Sequence, residues 1–299
     1  MTGQNGTETI FGEIERRMMI PFYVIVLLTV IGIIPNVLMI IALVKTKRIS
    51  KTSGRLFVVL CVADISCLAL YTLAGSVMFF LKVDHSFYWL QMVITILATF
   101  SQIFGIELFL LITILRCRSL LKPLSPKPTG FIWRFLVIAS IVSISCPTVF
   151  HLMLYFDPSN IEILVYVELF AGLCQLIVIF LIVAFNFASY YHLSRLGSQR
   201  NTSSQQNSDS IYIEEEKSRK RKLKSVNTLL IITFFYVLCY LPSTIRMVFK
   251  ITSQFSLPAL LFGIMMLGNS SFNSIIYIVR TKNMRTFYGR LFIKYIYRR

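Results

Sequence analysis

Asp64 stands in the middle of an unbroken apolar run, Leu60-Cys61-Val62-Ala63-Asp64, and few places in this chain are chemically odder. A carboxylate at that depth of a hydrocarbon medium costs about 2.5–3.5 kcal/mol on insertion scales, so it needs polar partners from other segments. The sequence offers Asn36 in one apolar run and Asn269, Ser270 and Asn273 in another, with Asn269 and Asn273 four apart and so on one helix face. Such a cluster serves either as structural glue or as a switch holding a proton or a sodium ion. Glu107, with Gln102 nearby, is a second intramembrane acid suited to interhelical hydrogen bonding. Arg246 and Lys250 are also four apart; they suit either a carboxylate or phosphate head or interfacial snorkelling with Glu162 or Glu168 as partners. Three histidines (His85, His151, His192) lie in separate segments, and six cysteines fit no metal spacing or outer-loop disulfide, so no metal site and no catalytic constellation is expected.

The elements that must position these groups are long apolar helices. Hydrophobic residues make up 56 % of the 299 positions and charged residues 14 %, too apolar for a soluble domain of this length. Runs at about 20–44, 56–81, 86–115, 131–155, 163–194, 225–249 and 256–279 each exceed the roughly 20 residues that span a bilayer. They lack the strict alternation of barrel strands. The fold expected is an all-α membrane protein, a seven-helix bundle over 20–281 with 1–19 outside it. Within it, 195–224 reads as a mobile polar loop, from whose basic end the sixth helix continues. In the 282–299 tail, Phe287, Leu291, Phe292 and Ile296 recur among basic residues at the spacing of an amphipathic interfacial helix.

Charge sets the orientation. Of 30 Lys and Arg, 25 fall in the first, third and fifth gaps and the tail, while the other side carries Arg16, Arg17, Lys82, Arg246 and Lys250 among seven acids. The positive-inside rule then puts the N-terminus outside the cell and the tail in the cytoplasm, and the net charge of +17 needs no nucleic-acid partner. Met1–Arg17 has no apolar core and is not expected to be a cleaved signal peptide. Asn5-Gly6-Thr7 is a glycosylation sequon on the outer side.

Several short motifs, taken with this topology, resemble the rhodopsin-like (class A) G-protein-coupled receptors over about residues 20–297. They are Asn36 with its apolar run, Leu60–Asp64, Arg116 ending the third span, Cys239-x-x-Pro242, and Asn273-Ser-Ile-Ile-Tyr277 followed by Met284-Arg285. The resemblance implies a plasma-membrane receptor, not an enzyme, that activates a heterotrimeric G protein. In it Arg116 engages the G protein, Pro242 is the hinge of the sixth helix, Tyr240 stands at the motif tryptophan, and Tyr277 is the switch tyrosine. A receptor kinase and arrestin are implied partners; phosphorylation is expected at Ser198, Thr202, Ser203, Ser204, Ser208 and Ser210.

The departures also carry information. Leu115 replaces the acid before the arginine, Cys117 the tyrosine after it, and Ser274 the seventh-helix proline, while Gly105 stands where a serine often completes a sodium pocket near Asp64. Ala98 takes the place of the amine receptors' aspartate and Leu267 that of the opsin lysine, so the ligand expected is a peptide or acidic lipid rather than an amine or retinal. A transporter or a ligand-gated chemosensory channel is the alternative. It is opposed by the odd number of spans, the missing inverted repeat and the outside N-terminus.

Overall fold

The computed structural model describes residues 4–47, 52–80, 85–121, 129–156, 161–203, 209–249, 257–280 and 284–290. Seven long helices follow one another: α1 (Gln4–Lys45), α2 (Thr52–Phe80), α3 (His85–Leu121), α4 (Thr129–Phe156), α5 (Ile161–Ser203), α6 (Asp209–Phe249) and α7 (Leu257–Arg280). A short α8 spans 284–290. All of the first seven hold a stretch long and apolar enough to cross a membrane. The chain is therefore an all-helical, multi-pass membrane protein of bundle type.

Several helices outrun their apolar cores. α1 begins at Gln4, ahead of its span at Met19–Lys45, and α5 continues past Arg195 to Ser203. The expected loop over 195–224 thus narrows: α5 fills its start, α6 begins again at Asp209, and only 204–208 lie outside the described residues. Local composition misreads these stretches because extending an existing helix adds a hydrogen bond per residue, whereas nucleation bears the main cost. The same continuation carries α3 past Arg116 to Leu121. Of the expected tail helix, 284–290 is described and helical; the rest lies outside the described residues.

Side-chain pairings give the packing directions. Thr29 meets Leu68 and Thr72 across α1 and α2, while Met39 clusters with Leu60, so these helices run antiparallel. Tyr71 reaches Thr99 and Gln102, and Phe57 meets Arg116, making α2 and α3 antiparallel too. Asn186 on α5 bonds Thr233 on α6, and Gly172 lies against Met247, again an antiparallel pair. Leu28 pairs with Ser271 and Asn36 with Ser274, so α1 and α7 run parallel. α3 packs on α2, α4 and α5, while α7 closes the ring against α1, α2 and α6.

Two large apolar clusters, with two smaller ones around Leu68 and Val77, fill the interior. One joins α1, α2 and α3 through Met39, Leu43, Phe57, Leu60, Leu108 and Leu111, and Met284 of α8 is wholly buried in it. The Tyr288 hydroxyl donates to the Leu38 carbonyl, which fastens α8 beneath α1; burial pushes this hydroxyl up to about 12. The other cluster joins α3, α5 and α6 through Phe109, Ile182, Leu229, Tyr236 and Tyr240. Outward faces stay apolar, as at Trp133, Ile138 and Ile141 on α4 and Ile177, Phe180 and Phe187 on α5, which is the pattern of a lipid-facing surface.

Helices in lipid approach closely only where side chains are small. Gly32 is such a point. A Cβ there would lie 2.5 Å from Leu68 Cδ1, 2.7 Å from Ser271 Oγ and 2.9 Å from Ser271 Cα. This contact sets the spacing of α1, α2 and α7, and with it the polar groups one turn further along α1.

Candidate functional site

Asn36 is wholly buried and knits α1 to α7. Its Nδ2 donates to the carbonyls of Gly32 (2.9 Å) and Ser270 (3.0 Å), and its Oδ1 accepts from the Ser274 hydroxyl. Ser274 Oγ is also 3.5 Å from Cys61 Sγ on α2. Ser271 adds a bond from its hydroxyl to the Leu28 carbonyl (2.9 Å). Ser274, Ser271 and Cys61 thus join the polar cluster, although their residue types alone did not mark them as members. The one clue was that Ser274 replaces a proline of the motif: a hydroxyl where the backbone donor would otherwise be lost.

Asp64 is 4 % exposed, with Ser270 and Asn273 of α7 facing its carboxyl, while its Oδ2 has no hydrogen-bond partner. Beside it a 20 Å³ cavity touches Asn273, Ser274 and Tyr277 among mostly apolar walls, space for about one water. Phe109 forms the α3 wall of the cavity, and Gly105 faces the carboxyl without adding an oxygen; a Cβ there would sit 3.9 Å from Asp64 Oδ1. For a sodium ion this wall is poor in oxygen ligands. Asn269 is buried next to the cluster, but its Oδ1 has no donor, so it does not extend the network.

Arg116, Phe57 and Tyr277 come together one level further toward the ends of α1, α3 and α7. The guanidinium carbon lies 5.9 Å from the Phe57 ring centroid, and the Tyr277 hydroxyl bonds the same group. Phe57 and Tyr277 rings stand 4.5 Å apart. Three helices thus contribute to one cationic-aromatic cluster, an attraction of roughly 0.5–2 kcal/mol for the cation–π contact. Tyr277 touches both large apolar clusters, so a shift of α7 there is felt on α1–α2 and on α5–α6.

Pro242 lies inside α6, where it removes one backbone hydrogen bond. The carbonyl it leaves without an amide donor is that of Leu238; Thr244, one turn on, donates its hydroxyl to the Tyr240 carbonyl (2.9 Å). Tyr240 is buried against Tyr236 at 4.6 Å between ring centroids, and Tyr236 lies 5.6 Å from Phe109 of α3. The Tyr236 hydroxyl is buried with no partner.

Between α3, α4 and α5, reaching Met247 of α6 and Met266 of α7, is a larger cavity of about 330 Å³. Its ionisable walls are Glu107 and Glu168, with amides at Gln102 and Gln175. Glu107 makes the interhelical bond its sequence position suggests, accepting from Ser143 on α4 at 2.7 Å. Ala98 is fully buried and does not line this cavity. Arg246 is half-buried with its Nε unpartnered and also lies off the wall, while Lys250 is outside the described residues. Asn5, Ser198, Thr202, Ser203 and Ser210 fall on helical backbone; Ser204 and Ser208 lie outside the described residues. Among the described residues no group of three or more His, Cys, Asp or Glu is placed to hold a metal.

No known protein family matches the sequence, and a search of curated proteins finds no similar chain. The class A resemblance therefore rests on the motif residues and their placement.

Proposed function

We propose that this chain is a plasma-membrane receptor of the G-protein-coupled type, with its N-terminus outside the cell. It couples an extracellular or membrane-borne ligand to nucleotide exchange on a heterotrimeric G protein. The observation that carries the reading is the Arg116–Tyr277–Phe57 cluster, which brings the two residues assigned to switching by motif, from α3 and α7, onto one ring of α2. The Asn36–Ser274 bond and the contacts of Asp64 with α7 support it by tying α1 and α2 to the helix that bears Tyr277. Pro242 lies just beyond the Tyr236–Tyr240 stack in α6, so the stack and the basic segment Lys217–Lys224 belong to the same arm, a swinging element for the switch. The reading predicts ligand-independent signalling, because Leu115 supplies no acid to restrain Arg116.

The test is a panel of second-messenger assays across G-protein subtypes in cells expressing the full chain at matched surface levels. At least one subtype should respond above mock-transfected cells, and Arg116→Ala should return that response to background. A panel silent throughout, or a response unchanged by Arg116→Ala, overturns the proposal.

A further inference from the structure

The 330 Å³ cavity is within the range of about 300–1,000 Å³ typical of small-molecule sites, and its lining runs from α4 and α5 inward to Met247 of α6 and Met266 of α7. α4 packs closely on α3 but only sparsely on α5, which leaves a cleft between α4 and α5. Val142, Phe170 and Cys174 line the cavity and are at the same time exposed on the outer surface, Phe170 to 63 %. An outer surface apolar at these positions faces lipid, so the cavity opens sideways into the bilayer core. Along α5 the wall runs from Val167 to Val178, about 16 Å of helix axis, enough for an extended hydrocarbon body.

The polar groups on that wall have one sign. Two carboxylates, two amides and the Thr99 hydroxyl are present, and no Lys, Arg or His belongs to the described lining. A carboxylate offers about four acceptor sites, and among the described residues Ser143 fills one on Glu107. The Gln175 amide has its Nε2 buried without a partner, a bond left for an acceptor on an occupant. In a low-dielectric wall a charge-assisted bond to an ammonium is the strongest complement such a carboxylate can receive.

We propose that this cavity binds a lipophilic amine that enters from the bilayer through the α4–α5 cleft and seats its ammonium on Glu107. An oxygen a few bonds from the nitrogen would reach the Gln175 amide. Ala98 excludes an amine only from the place where amine receptors hold it; the acids here occupy other positions on α3 and α5. As the activating ligand of a receptor this amine rests on the function proposed above, whereas the binding itself does not.

The experiment uses the full chain in phosphatidylcholine nanodiscs and three twelve-carbon photoprobes, each with a mid-chain diazirine and ending in an amine, an alcohol or a carboxylic acid. Adducts are mapped by peptide mass spectrometry. The amine probe should label the segments 142–150 and 167–178 saturably, half-maximally at a concentration at least tenfold below either other probe. Glu107→Gln should shrink that advantage to under twofold. Equal labelling by the three probes, preference for the acid, no saturable labelling of these segments, or an amine advantage that survives Glu107→Gln would each overturn the proposal. The head-group comparison is made on the wild-type chain, so it stands even if the variant does not fold. Because no G protein is present, the receptor reading can fail while the site holds, and the reverse.

Discussion

Gly32→Ala is the most searching test of how this bundle holds together. The added methyl would meet Leu68 Cδ1 at 2.5 Å, which a leucine rotamer change can relieve, and Ser271 Cα at 2.9 Å, which it cannot. Carbon contacts prefer about 3.5–4.0 Å, so α1 and α7 must part by several tenths of an ångström or more. Parting them stretches the Asn36–Ser270 and Ser271–Leu28 bonds, now 3.0 and 2.9 Å. Overpacking costs about 1–3 kcal/mol, and two interhelical hydrogen bonds add about 0.6 kcal/mol each. Alanine recovers about 0.8–1.0 kcal/mol of helix propensity over glycine. The net loss expected is about 1–3 kcal/mol, or on soluble-domain scaling roughly 2–12 °C in Tm. Gly263→Ala is the internal control: a Cβ there meets nothing within 4 Å, so propensity alone acts and Tm should hold or rise. Thermal unfolding of detergent-solubilised protein can be followed with a thiol-reactive fluorophore, since Cys61, Cys67, Cys117 and Cys239 are free and buried. A Gly32→Ala chain as stable as wild type would refute the close-approach argument.

Three further outcomes follow from single side chains. Leu115→Asp places a carboxylate beside Arg116 in sequence and should lower ligand-independent signalling below that of wild type; equal or higher basal output counts against an unrestrained arginine. Gly105→Ser has room, since its Cβ would lie 3.9 Å from both Ala63 Cβ and Asp64 Oδ1, so it should fold normally and add an oxygen beside the Asp64 carboxyl. Exchanging choline chloride for sodium chloride should then raise its Tm more than that of wild type. Tyr288→Phe removes the bond to the Leu38 carbonyl and should loosen α8 by about 0.5–1.5 kcal/mol, seen as faster amide exchange over 284–290. Its hydroxyl titrates higher in the folded chain, so that bond contributes fully below about pH 10 and is lost as pH rises through about 12. The wild-type advantage in α8 protection should fade over that window.

The seven spans were legible in the sequence because hydrocarbon solubility is a local property, readable window by window. The continuation of the sixth helix into its basic run was legible too, but the helical stretches at 4–18, 196–203 and 209–216 were not, because a helix propagates from its apolar core into segments that would not start one. Asn36 and Asp64 announced themselves by the cost of burying them. Their partners were less visible: the Asn36–Ser274 bond joins residues 238 apart, and no residue type or spacing favours Ser274 over Asn269, whose Oδ1 ends up without a donor. The larger cavity was wholly hidden. It exists because α4 and α5 diverge while both hold α3, and no periodicity encodes how far two helices separate. For the same reason Arg246 could be matched with Glu168 on paper, yet only the glutamate reaches the cavity wall.

The length of α6 turns a small rotation into a large displacement. Asp209, where the helix begins, lies 33 residues from Pro242, a lever arm of about 50 Å. The hydrocarbon layer is only about 30 Å thick, so much of that arm reaches past it. A 10° change of angle at the proline would sweep the far tip through about 9 Å, wider than the shift of any side chain at the fulcrum. Whatever meets that tip responds to motion amplified by leverage alone.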